Sequence, residues 1–220
     1  MHPILEHIDQ TGVVAILRGI EADKLVPLGL ALADAGVGAI EVTLNSAGAL
    51  AGISALQAAV GQKIPIGAGT VMNGAAARKA IQAGALFILT PHLAQETLQV
   101  CLQANVPAVI GAMTPSEAVC AFELGCEMVK IFPAATLGSQ YFRDFKGPLS
   151  QIPLMAVGGI QENNAAEYIR AGVRAVGAGS QLIDMAAVDR GDWQGVRYKA
   201  QSLVMTVRKA KQQAAINDSI

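Results

Sequence analysis

Four times along the chain a helical pattern ends in a small residue or Leu followed by Gly, and an apolar run starts within three residues. Ala35-Gly36 precedes Val37–Val42, Ala83-Gly84 precedes Leu86–Thr90, Leu124-Gly125 precedes Met128–Phe132, and Ala171-Gly172 precedes Ala175–Gly177. Glycine at that point suits a left-handed residue just past a helix end, which tells the helix where to stop. These glycines lie 48, 41 and 47 residues apart, about twice the length of one strand–helix unit. Four further short apolar runs fall in the gaps: Val13–Leu17, Ile64–Ala68, Pro107–Gly111 and Pro153–Val157. Each is followed by a helical stretch, as in Ala22–Ala35, Gly74–Ala83, Ser116–Leu124 and Asn163–Ala171. Eight short strands therefore alternate with eight helices. The strands are apolar almost throughout, as expected when both faces of a parallel sheet are covered. Eight such units in 220 residues predict an α/β fold, a single (β/α)8 TIM barrel spanning residues 1–220. The competing architecture, a doubly wound open sheet, would place a glycine-rich phosphate loop after the first strand. Arg18-Gly19-Ile20 stands there instead.

Composition removes several functional classes. Lys+Arg number 16 and Asp+Glu 17, a net charge of -1, whereas a grip on nucleic acid phosphates calls for a basic surplus. Hydrophobic residues make up 52% of the chain, yet no apolar run reaches the roughly 18 residues of a membrane span, because Asp34, Lys130 and glycine pairs interrupt the candidates. Met1–His7 shows no charged leader followed by an apolar stretch, so export is not expected. Three cysteines, Cys101, Cys120 and Cys126, form neither a disulfide framework nor a metal-binding pattern. These features predict a cytoplasmic protein with no nucleic acid or membrane partner.

Active sites of such barrels are built at the C-terminal ends of the strands, so polar residues inside apolar runs are the informative ones. Lys130 is the only one of eight lysines flanked on both sides by strand hydrophobics, Met128-Val129 and Ile131-Phe132. Burying an ammonium is costly, so such a site pairs the charge or favours the neutral amine. A neutral lysine is a nucleophile that forms a Schiff base with a carbonyl. The plainer alternative is a structural lysine that reaches out at the strand end or pairs with a carboxylate. Glu41, inside Ala39-Ile40-Glu41-Val42-Thr43, is a general acid/base candidate or else a salt-bridge partner for Lys130 or Arg18. Alternation that turns Glu41 inward turns Thr43 inward as well.

Anion-binding signals come late in the chain. The seventh strand ends in Val157-Gly158-Gly159, and the eighth in Gly177-Ala178-Gly179-Ser180, followed by a Gln181-Leu182-Ile183 stretch read as helix. Glycines let backbone N–H groups approach an anion, and Ser180 is expected to cap that helix. A tight turn explains either glycine pair alone; both pairs, after strands seven and eight, match the usual phosphate position in barrels. Arg18, ending strand one, is a partner for carboxylate or phosphate, or an exposed strand-end charge. Thr70, closing Gly67-Ala68-Gly69-Thr70, could donate to a substrate carboxylate or serve a turn. His92 alone makes no metal site. His2 and His7 are expected to be exposed, the cysteines to fill core positions, Met205 to be a core contact, and Arg208-Lys209-Ala210-Lys211 to form a solvated face.

Five motifs occur in order: Val14-Ala15-Ile16-Leu17-Arg18-Gly19, Glu41-Val42-Thr43-Leu44-Asn45-Ser46, Gly67-Ala68-Gly69-Thr70-Val71, Val129-Lys130-Ile131-Phe132-Pro133-Ala134 and Val157-Gly158-Gly159-Ile160. With them the chain resembles, from about Val13 to the last helix, the bacterial 2-keto-3-deoxy-6-phospho-sugar acid aldolases. The resemblance implies a class I aldolase on a TIM barrel, a cytoplasmic homotrimer that needs no metal and no cofactor. It implies imine formation with pyruvate at Lys130 and general acid/base work at Glu41. It further implies carboxylate contacts at Arg18 and Thr70, phosphate contacts at Gly158, Gly159, Gly179 and Ser180, and a wall for the pyruvate methyl from Pro91 and Phe132. Asn45 stands where some gluconate-type members have Arg, which shifts carboxylate recognition toward Arg18. Val157 stands where many of them have Thr. Both features resemble the galactonate-type branch.

The resulting expectation is a lyase that splits the galactonate-type phosphorylated sugar acid into pyruvate and glyceraldehyde 3-phosphate. The alternatives are the gluconate-type substrate or both, a phosphosugar isomerase or epimerase without imine chemistry, and a non-catalytic binder of a phosphorylated ligand.

Overall fold

In the computed structural model, which describes residues 1–217, all four helix-stop glycines have left-handed backbones: φ is 83° at Gly36, 99° at Gly84, 100° at Gly125 and 91° at Gly172. Each carries the same double closure. The glycine N–H returns to the carbonyl three residues back, and the next N–H to the carbonyl five back, as in Gly36 to Ala33 and Val37 to Leu32. This pattern satisfies carbonyls that a helix end would otherwise orphan and turns the chain sharply into the next strand. A fifth copy follows the segment Gln95–Gln103, with Asn105 at φ 53° in the glycine's place. Asn tolerates that conformation better than other side chains do.

The elements run α1 (Pro3–Thr11), β1 (Val13–Leu17), α2 (Ala22–Asp34), β2 (Ala39–Thr43), α3 (Ala49–Val60), β3 (Ile66–Gly69), α4 (Gly74–Gln82), β4 (Ile88–Leu89) and α5 (Gln95–Gln103). They continue with β5 (Ala108–Ala112), α6 (Pro115–Glu123), β6 (Met128–Ile131), α7 (Ala134–Lys146), β7 (Leu154–Val157), α8 (Glu162–Arg170), β8 (Ala175–Ala178), α9 (Met185–Asp189) and α10 (Trp193–Asn217). All neighbouring strands are parallel, and β8 pairs with β1, with Val14 opposite Gly177. The sheet is a closed barrel, β1 to β8 in sequence order, so the open-sheet alternative is excluded.

Period-2 alternation sorts the strand side chains into two apolar layers. Outward residues such as Val13, Ile40, Val42, Val129 and Ile131 pack with the helices. Inward residues, among them Val14, Ala39, Phe87, Met128 and Met155, form a second cluster inside the barrel. A Cβ on Gly67 would run into the Phe87 ring, so this glycine makes room for the largest inward side chain. Leu5 and Ile8 of α1 join the inner cluster beside the strand-start residues Val14, Ala39 and Ala175, so α1 closes the N-terminal end.

Several local features differ from the sequence expectation. The described residues hold ten helices rather than eight, α1 and the short α9 being the additional two. The turn after β8 spans residues 180–182, with the Leu182 and Ile183 N–H groups both donating to the Gly179 carbonyl. Ser180 therefore caps no helix. The following helix is α9, and its cap is Asp184, which accepts from Ala186 and Ala187. His2 and His7 are half-buried because α1 packs into the barrel end. Met205 is 49% exposed, since α10 turns Leu203, Val204 and Val207 toward the core instead. Arg208 and Lys209 are solvated as expected, but Ala210 is buried and Lys211 donates to Asp9 and the Arg174 carbonyl. Cys101 and Cys126 are buried, and burial pushes their thiols up to about 12 and about 11; Cys120 is half-buried.

Candidate active site

Met128 points into the barrel, so alternation along β6 turns Lys130 inward one layer nearer the C-terminal end. Lys130 is only 6% exposed, and its Nζ lies 5.6 Å from the centre of the Phe132 ring, within range of a cation–π contact. On β2, Ala39, Glu41 and Thr43 share the inward face, and Glu41 is 1% exposed. Gly69 of β3 leaves the space that the Glu41 carboxyl fills, because a Cβ there would overlap it.

Glu41 Oε2 is buried without a hydrogen-bond partner among the described residues. Burial raises the carboxyl's pKa, and the positive charges of Lys130 and Arg18 pull the other way. No ion pair of 4 Å or less joins Glu41 to Lys130 or Arg18 among the described residues. A buried amine and a buried carboxyl thus face a common interior without neutralising each other in contact. Chemically, that arrangement offers a nucleophile for a carbonyl and a separate group to accept or return a proton.

Beside them a cavity of about 270 Å³ opens at the C-terminal end of the barrel. Seven residues singled out in the sequence line it: Arg18, Phe132, Val157, Gly158, Gly159, Gly179 and Ser180. Lys130, Glu41, Thr70 and Pro91 are not on its wall. Phe132 connects the two regions, lining the cavity while its ring meets Lys130. Ile20, Gln181 and Met185 also line the cavity, and no sequence signal marked them.

The loops after β7 and β8 supply free donors. The backbone N–H groups of Gly158, Gly159, Gly179 and Ser180 make no hydrogen bond among the described residues. Gly158 and Gly159 have φ of 101° and 73°, and a Cβ on Gly159 would overlap Ala135 at the start of α7. Asn164 fixes this loop by donating to the Gly159 carbonyl while accepting from the Gln161 N–H. Consecutive free amides in such a turn form a concave site for an anion. Arg18 is exposed on the same cavity and makes no ion pair among the described residues, so its charge is available to a ligand.

Two sequence candidates occupy neighbouring loops. Thr70, half-buried after β3, has φ 54°, an unusual backbone for a β-branched residue and one that re-aims the chain end. Pro91 is bracketed by Thr90, whose hydroxyl donates to the His92 carbonyl at 2.7 Å and accepts from the Gly111 N–H at 2.8 Å. His92 itself is exposed.

The sequence pattern of a known family, described as "KDPG and KHG aldolase", matches residues 4–198. The chain belongs to the KDPG and KHG aldolase family. Within it, the chain is 37% identical over 171 residues to the 2-dehydro-3-deoxy-6-phosphogalactonate aldolase of Escherichia coli (strain K12), covering 77% of this chain and 83% of the relative. It is also 37% identical over 175 residues to a 2-dehydro-3-deoxy-phosphogluconate aldolase of Pseudomonas aeruginosa, covering 79% and 78%. Among solved structures, the KDPG aldolase of Legionella pneumophila, described with pyruvate captured at low pH as a covalent carbinolamine intermediate, superposes with a TM-score of 0.83 at 26% identity. That match covers 89% of this chain and 96% of the Legionella one. As an aldolase this protein is a carbon–carbon lyase. Identity is the same, 37%, to this galactonate-type relative and to this gluconate-type relative.

Proposed function

We propose that this protein is a class I aldolase that cleaves 2-dehydro-3-deoxy-6-phosphogalactonate to pyruvate and D-glyceraldehyde 3-phosphate. The observation that carries the reading is the Lys130 amine and the Glu41 carboxyl, both buried and not in contact as an ion pair, beside a cavity to which the loops after β7 and β8 present free amides. The Lys130 lone pair attacks the C2 ketone, and loss of water from the carbinolamine leaves an iminium. Glu41 accepts the C4 hydroxyl proton, directly or through a water, as the C3–C4 bond breaks. The bonding pair flows into the iminium, giving glyceraldehyde 3-phosphate and an enamine. Protonation at C3 and hydrolysis then release pyruvate and the free lysine. The carbinolamine described for the Legionella enzyme is the same kind of adduct.

In this reading the amides of Gly158, Gly159, Gly179 and Ser180 hold the phosphate. Arg18 and Thr70 hold the carboxylate, and Pro91 and Phe132 wall the pyruvate methyl. The chemistry requires no metal or cofactor. The preference for the galactonate epimer rests on Val157, whose methyls stand over Gly177 on the cavity wall and offer C4 no hydrogen bond. A homotrimer in the cytoplasm is part of the same proposal; no helix of the described residues is long and apolar enough to cross a membrane. Sedimentation equilibrium at three chain masses supports the trimer, and a monomer removes it.

The test is pyruvate release from each pure epimer. Faster cleavage of the galactonate epimer supports the assignment, the reverse order transfers it to the gluconate epimer, and no cleavage of either overturns it.

A further inference from the structure

Arg18 lines the cavity from a short turn and makes no ion pair among the described residues, so its side chain is placed by the backbone that carries it. That backbone is held on both sides of the arginine by two hydroxyls from β2 and the loop after it. The N–H of Gly19 donates to Ser46 Oγ at 2.9 Å. Ser46 Oγ lies 2.9 Å from Thr43 Oγ1, and Thr43 Oγ1 donates to the Leu17 carbonyl at 3.3 Å. Proton counting fixes the direction of the chain. A carbonyl only accepts, so the single Thr43 proton goes to Leu17, and the Thr43–Ser46 contact must use the Ser46 proton. Ser46 is then left with its lone pairs for Gly19. The result runs one way, from Gly19 N–H through Ser46 and Thr43 to Leu17 C=O, and closes a ring across Arg18.

Each part of the ring has a structural reason. Thr43 is fully buried on the inward face of β2, where an unpartnered hydroxyl would be costly. Gly19 has φ 65°, so its N–H can turn toward the neighbouring loop, a conformation that L side chains rarely adopt. The Ser46 N–H also returns to the Thr43 carbonyl at 3.0 Å, which holds the serine over the threonine.

We propose that Thr43 and Ser46 are positioning residues that set the Arg18 guanidinium over the cavity, an inference that rests on Arg18 binding an anionic group of the substrate. The relay touches no reacting atom, so it governs binding rather than the chemical step. Losing it lets the arginine sample other directions and weakens ground-state and transition-state binding alike.

Steady-state cleavage of the phosphorylated sugar acid by Ser46→Ala, Ser46→Thr, Arg18→Ala and the Arg18→Ala/Ser46→Ala double variant tests this. Ser46→Ala is expected to raise KM roughly three- to tenfold with kcat within about twofold, the scale of one lost hydrogen bond. Ser46→Thr, which keeps the hydroxyl, recovers most of that loss. In the Arg18→Ala background, Ser46→Ala changes KM no further. Thr43→Val is close in shape, breaks the other end of the relay and gives the same pattern, which covers any failure of Ser46→Ala to fold. A raised KM for Arg18→Ala beside an unchanged one for Ser46→Ala and Thr43→Val overturns the relay alone, as does an undiminished Ser46→Ala effect without Arg18. An unchanged KM for Arg18→Ala removes the anion-binding reading, and the relay proposal with it.

Discussion

Glu41 and Gly69 share one volume: a side chain at 69 would stand where the Glu41 carboxyl lies. Glycine in β3 is therefore tied to the carboxyl's position rather than to a turn. The β2–β3 register sets this relationship, with Glu41 opposite Gly67 and Thr43 opposite Gly69. Gly69→Ala is expected to push the carboxyl away from the amine and lower kcat by about 10²-fold, the cost of a misplacement on the ångström scale. Turnover close to wild type, with the fold intact by circular dichroism, would show that the carboxyl position is not critical.

Glu41→Gln is expected to lower turnover by roughly two to four orders of magnitude, the usual span for a positioned general acid/base. Its effect on stability depends on pH. Burial holds the Glu41 carboxyl above its ordinary value of 4.5, against the charges of Lys130 and Arg18. Native protein thus keeps this proton at pH values where the unfolded chain has released it, and stability falls as pH rises through that window. Gln has no proton to lose, so the variant gains on wild type as pH climbs from the ordinary carboxylate value through the native one, then holds its advantage. Thermal midpoints of both proteins from acid to neutral pH read this directly. Parallel profiles contradict it.

Val157→Thr adds a hydroxyl to the cavity wall below Gly158. One such hydrogen bond is worth about 0.5–1.5 kcal/mol, or up to roughly tenfold in rate. The ratio of kcat/KM values for the two epimers is expected to move toward the gluconate epimer, with Lys130 reactivity toward pyruvate retained. An unmoved ratio locates C4 recognition on another residue.

The barrel was readable because its punctuation is local. Gly36, Gly84, Gly125 and Gly172 end their helices through contacts within six residues, and the inward placement of Lys130 and Glu41 follows from strand alternation alone. Features set by distant packing were not readable. The sequence of α1 holds only Leu5 and Ile8 as fully buried apolar residues, and what makes them core is the open barrel end they fill. The Gln181-Leu182-Ile183 stretch has helix-compatible residues, but both Leu182 and Ile183 close on Gly179 as a turn, and Asp184 takes the cap. Gln181 and Met185 reach the cavity only because that turn brings them there. The relay through Thr43 and Ser46 was hidden for a similar reason, since its partners Leu17 and Gly19 lie on another strand and loop.

Imine formation at Lys130 is decided by borohydride reduction in the presence of pyruvate, followed by intact mass and peptide mapping. One reduced pyruvate unit per wild-type chain is expected, on the peptide containing Lys130. None is expected in Lys130→Ala, and none in Lys130→Arg, because a guanidinium stays protonated and forms no imine. Labelling of Lys130→Ala at a single other lysine, or no labelling of the wild type, would contradict it.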